Sequence, residues 1–213
     1  MINILGNIFL VTGLLMLSGR KMKTAIILLA MQSLSLSMIA FFSGYALGGL
    51  NWHMFIIGSL TILVKVIALP VLLYRLVNEL NPNEPIGLSV KSLLSFSVGI
   101  VLVLFSYSYV VPEFLSSIHV DSYLLSAALS SILLGCFYMI SRSCVLDQII
   151  GIILMENGLF LSSLAITGGM PLIVELGIFF DILVGVLVMV GITYQIKNSC
   201  QSLDIKNLNR LRG

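Results

Sequence analysis

The 213-residue chain is 59% hydrophobic and 9% charged, with a mean hydropathy of +1.12. A soluble domain usually carries about 25% charged residues, so this composition excludes a soluble enzyme and indicates a protein that crosses a lipid bilayer several times. The net charge of +2 is small, and the basic residues sit between apolar segments, where they report membrane topology rather than nucleic-acid binding.

Seven apolar segments are long enough to cross the membrane, since a spanning helix needs about 20 apolar residues. We therefore predict an all-α polytopic membrane bundle of about seven transmembrane helices. The predicted spans cover residues 2–18, 24–46, 52–77, 91–111, 123–140, 146–166 and 172–196.

The distribution of Lys and Arg predicts the orientation. With seven spans, ten of the eleven basic residues fall on one side of the membrane, and the loops on the other side carry none. The positive-inside rule then places the N-terminus outside and the C-terminus in the cytoplasm, for a multi-pass protein of the cell inner membrane. The ten residues are Arg20, Lys21, Lys23, Arg75, Lys91, Arg142, Lys197, Lys206, Arg210 and Arg212.

The eleventh basic residue, Lys65, lies in the middle of the third predicted span. A lysine near a helix end can extend its ammonium group to the interface, but the central position of Lys65 favours an ion-paired or functional lysine. Pro70 follows five residues later and should loosen the helix at the Lys65 turn, because proline removes a backbone donor.

Two acids lie near the middle of apolar segments, Glu156 in the sixth span and Asp181 in the seventh. A charge at the centre of a bilayer costs on the order of 2.5–3.5 kcal/mol on insertion scales. One explanation is structural: both acids are protonated and hydrogen bond between helices. The favoured hypothesis is that Glu156 and Asp181 take up and release protons. Glu175 lies close to the outer end of the seventh span. Solvated surface is the expectation for the other six acids, Glu79, Glu84, Glu113, Asp121, Asp147 and Asp204.

The first three and last three spans suggest an internal repeat. In this alignment, Gln32 corresponds to Glu156, and Lys65 corresponds to Asp181. The fourth span would then restore the orientation, so that the two halves are parallel repeats. The predicted units are an N-terminal three-helix module (1–78), a linker with an extra helix (79–121), and a C-terminal three-helix module with a cytoplasmic tail (122–213).

The sequence contains no pattern typical of catalysis. It has no Gly-rich phosphate loop, no nucleophile–base constellation, no haem-type histidine pair and no cysteine cluster. We therefore expect no catalytic residues, no metal site and no cofactor in this chain.

The last three spans resemble the NuoK-type subunit of respiratory complex I and the related C subunit of Mrp-type cation antiporters. Glu156 and Asp181 match the two membrane glutamates of that family, and Gly185 matches a family glycine four residues after the second. The sequences Ser202-Leu203-Asp204 and Leu211-Arg212-Gly213 also resemble the tail of that subunit. The departure is aspartate for glutamate at 181, which shortens the side chain by one methylene group and keeps the acid.

A NuoK-like C-terminal half preceded by four further helices resembles hydrogenase-4 component E, a membrane subunit of group 4 [NiFe] hydrogenase and formate hydrogenlyase-type complexes. The resemblance implies antiporter-like membrane subunits as partners, a soluble hydrogenase arm in the same complex, and contact with the lipid bilayer. It also implies that Gln32, Lys65, Glu156 and Asp181 face a proton-translocation path.

Three hypotheses remain open from the sequence. The first is a non-catalytic proton-translocating subunit of a membrane-bound hydrogenase complex. The second is a subunit of a cation/proton antiporter or of a complex I-like dehydrogenase. The third is a membrane scaffold whose buried acids only connect helices.

Overall fold

A computed structural model describes most of the chain. The described residues are 1–19, 21–46, 52–80, 92–110, 122–142 and 144–167. The predicted seventh span, residues 172–196, lies outside them, and so do Glu175 and Asp181.

The described residues are helical almost throughout. Seven α-helices are interrupted or extended by two π-helical segments. In chain order these are α1 (Ile2–Ser18), α2 (Met22–Ala46), α3 (Trp52–Thr61), a π-helix (Ile62–Ala68), α4 (Leu69–Leu80), α5 (Ser92–Phe105), a second π-helix (Ser106–Val110), α6 (Ser122–Ser141) and α7 (Val145–Thr167).

Helical segments that follow one another without a break form one continuous helical rod. Five such rods or single helices are long and apolar enough to cross a membrane. Their candidate spans are Met22–Tyr45, Met54–Asn78, Ser92–Tyr109, Ser122–Ser141 and Leu146–Ile166. They correspond to the second to sixth predicted spans. The first predicted span is the apolar helix α1, which at 17 residues is shorter. The all-α fold is confirmed for the described part of the chain, and the total of seven spans stays a prediction.

The core of the bundle consists of two hydrophobic clusters. One contains residues such as Met16, Leu29 and Tyr138, and the other contains residues such as Phe9 and Ile39. Helices α1, α2, α6 and α7, and the rod from α3 to α4, each contribute to both clusters.

Buried polar residues separate the two clusters. On every one of these five rods, polar side chains occur at the positions between the two sets of apolar residues, so they form a polar layer across the middle of the bundle. All members are less than 9% exposed: Thr12, Gln32, Ser33, Thr61, Lys65, Ser130, Ser131, Glu156 and Asn157.

Helices α6 and α7 pack closely through glycine. A Cβ atom added at Gly135 would lie 2.7 Å from the backbone nitrogen of Met155, and one added at Gly158 would lie 2.8 Å from the carbonyl oxygen of Ala128. Small residues let membrane helices approach to backbone contact. This close packing brings the polar residues of α7 beside those of α6.

The rod that carries Lys65 changes from α- to π-helix around that residue. The π-helix covers Ile62–Ala68, and the backbone N–H of Leu69 donates to the carbonyl of Val64, five residues earlier. Pro70 follows directly and cannot donate to the preceding turn. The predicted loosening of the helix next to Pro70 therefore has its counterpart in this π-helix, a feature that is frequent at functional sites.

Candidate functional site

The centre of the polar layer is a buried ion pair between Lys65 and Glu156. The Nζ atom of Lys65 lies 2.6 Å from Oε1 of Glu156. Lys65 is 1% exposed and Glu156 is 4% exposed. Because both charges have left water, each depends on the other for stabilisation, and removing either one leaves an uncompensated buried charge.

Asn157 provides Lys65 with a second acceptor. Lys65 Nζ donates to Asn157 Oδ1 at 3.0 Å. The amide nitrogen of Asn157 donates in turn to Gln32 Oε1 and to Ser33 Oγ, both at 3.2 Å. The rod of Lys65, helix α7 and helix α2 are thereby joined through one amide group.

The hydrogen-bond network continues from Gln32 to helix α6. Gln32 Nε2 donates to Ser131 Oγ at 3.2 Å, and Ser131 Oγ donates to the carbonyl of Leu154 at 3.1 Å. A charged lysine has only donors, so it fixes which end of the Asn157 amide faces it. The orientation of the Asn157 amide in turn fixes the orientation of the Gln32 amide. In each hydrogen bond of this series, from Lys65 to the Leu154 carbonyl, the donor is the residue nearer to Lys65.

The surroundings of the ion pair are asymmetric. The ring centroid of Phe160 lies 5.4 Å from Lys65 Nζ, within the range of a cation–π interaction. Oε2 of Glu156 is buried and accepts no hydrogen bond from the described residues, whereas Oε1 receives Lys65. The carboxylate is therefore bound at one oxygen by the described side chains.

The structure brings together three of the four site residues predicted from sequence. Gln32, Lys65 and Glu156 lie in one layer, and Asp181 lies outside the described residues. Asn157 was missed, although it hydrogen bonds to both Lys65 and Gln32. The available signal was an amide directly after Glu156 in an otherwise apolar segment.

A second buried charge cluster lies at one end of the bundle, around Arg142. This residue is 3% exposed. Its Nη2 atom donates to the carbonyls of Leu17 at 3.2 Å and of Gly19 at 2.9 Å. These carbonyls belong to the end of α1, where a cation is favoured by the helix dipole. The guanidinium carbon also lies 4.7 Å from the ring centroid of Tyr138.

The expectation that Asp147 belongs to the solvated surface is wrong. Asp147 is 0% exposed, and its Oδ1 atom accepts a hydrogen bond from the Tyr138 hydroxyl at 3.1 Å. Burial follows from its place in the first turn of α7, which packs against the end of α6. The useful sequence signal was the acid in a helix N-terminal turn, where negative charge is favoured.

The described basic residues other than Lys65 share one end of the bundle. Arg142 binds the carbonyl of Gly19 beside the α1–α2 connection, which also contains Lys21. Lys23 Nζ lies 5.1 Å from the ring centroid of Tyr74, next to Arg75. This agrees with the predicted segregation of basic residues; which side of the membrane this end faces stays a prediction.

The arrangement consists of a buried ion pair and the amides that surround it. Among the described residues, no group of three or more His, Cys, Asp or Glu side chains could hold a metal ion. The polar layer instead offers a cation, an acid and two amides within hydrogen-bond contact of one another. These groups define a multi-helix membrane protein with an ionisable pair at mid-bundle.

Curated relatives match the chain over 91–100% of its length. It is 26% identical over 212 residues to hydrogenase-4 component E of Escherichia coli K12, an alignment that covers 100% of this chain and 97% of that protein, and the Shigella flexneri protein of the same name matches equally. The uncharacterised protein Rv0085 of Mycobacterium tuberculosis is 26% identical over 197 residues, covering 91% of this chain and 87% of that protein.

No family model matches the chain, and no solved structure matches it significantly. The full-length relatives support the resemblance to the hydrogenase-4 component E family, and the helical fold supports a membrane protein. The finer likeness to the NuoK-type subunit stays a prediction.

Proposed function

We propose that this chain is a non-catalytic membrane subunit of a hydrogenase complex of the hydrogenase-4 or formate hydrogenlyase type, and that it contributes part of a proton-translocation path. The observation that carries the proposal is the buried pair of Lys65 and Glu156, 2.6 Å apart between two hydrophobic clusters. The full-length similarity to hydrogenase-4 component E supplies the setting.

The pair suits proton transfer because its charge can be redistributed without unfolding the bundle. If Glu156 takes up a proton, the ammonium group of Lys65 still has Asn157 Oδ1 as an acceptor at 3.0 Å. If the proton leaves, the ion pair is restored. Two strongly interacting groups titrate as a unit, so a change of charge nearby would alter the protonation of both. In this proposal Gln32 and Asp181 also belong to the path.

The proposed neighbours are antiporter-like membrane subunits, with a soluble hydrogenase arm in the same complex. The proposed orientation has the C-terminus and the basic end in the cytoplasm and the N-terminus outside. A purely structural role predicts a different behaviour. Substitutions at these residues would then impair assembly of the complex and leave proton translocation unchanged.

Affinity purification of the tagged full-length chain from its native membrane tests the proposed complex. We expect a nickel-containing hydrogenase to co-purify with the chain, together with antiporter-like subunits. Recovery of a cation antiporter or of a quinone-linked dehydrogenase without nickel would contradict the hydrogenase assignment and favour the alternative.

The path itself is tested in the assembled complex with Lys65→Met, which keeps an apolar stem of similar length. We expect the variant complex to retain its subunits and to lose proton translocation in membrane vesicles. Normal translocation by the assembled Lys65→Met complex would favour the scaffold.

A further inference from the structure

An apolar groove runs along the outside of the bundle between α2 and the rod that continues into α4. Its volume is about 500 Å³, within the range of roughly 300–1,000 Å³ that is typical of small-molecule sites. Ile27 and Met31 line one wall, and Val66 and Val71 line the other. The lining is almost entirely apolar.

The groove runs outwards from the polar layer. On α2 its lining begins at Leu34, next to the polar layer, and ends at Ile26, which is eight positions earlier in the helix, or about 12 Å at 1.5 Å per residue. The hydrocarbon core of a bilayer is about 30 Å thick. The groove is therefore nearly as long as the hydrocarbon part of one leaflet.

The end of the groove far from the polar layer is basic and aromatic. Tyr74 and Arg75 line it, and the Nζ atom of Lys23 lies 5.1 Å from the ring centroid of Tyr74. Neither Lys23 nor Arg75 forms a salt bridge with an acid whose side chain the structure describes. An apolar channel that ends in two cations is complementary to an amphiphile with a negative head.

We propose that this groove binds one phospholipid with an anionic headgroup, with an acyl chain between Met31 and Val66 and the phosphate beside Lys23 and Arg75. Basic pockets between membrane helices on the cytoplasmic side bind anionic lipid headgroups in this way. The site is independent of the proposed hydrogenase function, because it uses no residue of the Lys65–Glu156 network.

Native mass spectrometry of the purified full-length chain in detergent tests the site, with phosphatidylglycerol and phosphatidylcholine of identical acyl chains as probes. We expect one phosphatidylglycerol to bind in preference to phosphatidylcholine. Lys23→Gln and Arg75→Gln should each weaken phosphatidylglycerol binding about fivefold, and the double variant should lose the preference.

Two further variants distinguish lipid binding in the groove from nonspecific electrostatic attraction between anionic lipid and basic residues. Lys21→Gln removes an equal charge from an exposed position outside the groove, and we expect it to leave binding unchanged. Ala30→Trp fills the groove, because Ala30 is one of its lining residues, and should reduce the binding of both lipids.

Three results would overturn the proposal. One is an equal loss of phosphatidylglycerol binding in Lys21→Gln and Lys23→Gln. Another is unchanged lipid binding in a folded Ala30→Trp chain. The third is a protein neighbour in the assembled complex that cross-links to Ile27 while no lipid is retained, which would assign the groove to a subunit interface.

Discussion

The ammonium group of Lys65 and the carboxylate of Glu156 form a 2.6 Å ion pair in the middle of a membrane helix bundle. Their helices are joined a second time through Asn157, which accepts from the same ammonium group. The ammonium group of Lys65 thus has two acceptors, on neighbouring residues of α7, and it keeps one of them when the other is lost.

The ion pair should show strong energetic coupling. Glu156→Ala leaves Lys65 as an uncompensated buried charge, and breaking a buried pair costs about 3–5 kcal/mol. Adding Lys65→Met should recover much of that loss, because no unpaired charge then remains. Unfolding by denaturing detergent, followed by circular dichroism, measures the effect. Independent, additive losses in the double variant would contradict the pairing.

The amide network should stabilise the bundle through Asn157. Asn157→Leu is similar in shape, but it removes one acceptor from Lys65 and leaves Gln32 Oε1 without its donor. An unsatisfied buried polar group costs about 1–3 kcal/mol, which the same unfolding measurement would detect. Ser162→Ala is the control on the same helix, because the Ser162 hydroxyl donates to the Leu159 carbonyl, three residues earlier on that helix. Equal stability of the two variants would refute the network.

Arg142 should act as the end cap of α1. Arg142→Met removes the bonds to the carbonyls of Leu17 and Gly19 and the cation nearest to the buried Asp147. We expect a loss of about 1–3 kcal/mol, and a smaller loss when Asp147→Asn is already present. Lys21→Met is the matched control at an exposed site in the same region. A loss of stability in the control as large as in Arg142→Met would show that net charge, and not the cap, is responsible.

The close approach of α6 and α7 should depend on Gly158. A Cβ atom there would lie 2.8 Å from the Ala128 carbonyl oxygen, so Gly158→Val must push the helices apart and separate Asn157 from its partners. We expect a marked loss of folded protein in size-exclusion chromatography. Gly19→Ala is the control, because φ is −64° at that position and the nearest atom is 3.4 Å away. A monodisperse Gly158→Val protein with wild-type stability would contradict this packing.

The sequence was informative about the helices because hydropathy is a local property. Spans predicted at 24–46 and 146–166 lie within helices at Met22–Ala46 and Val145–Thr167. The costly polar residues Lys65, Glu156 and Gln32 were also visible, since each stands out against apolar neighbours.

Hydrogen-bond partners, and the burial of charged residues near the ends of spans, could not be predicted from local hydropathy. Asp147 and Arg142 lie close to a turn, and a turn in a linear sequence reads as solvent-exposed. Arg142 is buried because it binds carbonyls at the end of α1, a contact between distant parts of the chain, and Asp147 is buried because the start of α7 packs against Tyr138 at the end of α6. Asn157 was missed for the same reason, because its role depends on residues of three other helical segments.

The central claim is that Glu156 carries protons, and the most direct measurement is proton translocation per hydrogenase turnover in membrane vesicles that contain the assembled Glu156→Gln complex. Glutamine keeps the size and an acceptor for Lys65 but cannot release a proton. We expect turnover to persist and translocation to fall by about a hundredfold, the scale of a positioned proton-transfer group. Asp147→Asn, a buried acid outside the polar layer, should translocate normally. A wild-type ratio of protons to turnover in the assembled Glu156→Gln complex would contradict the account.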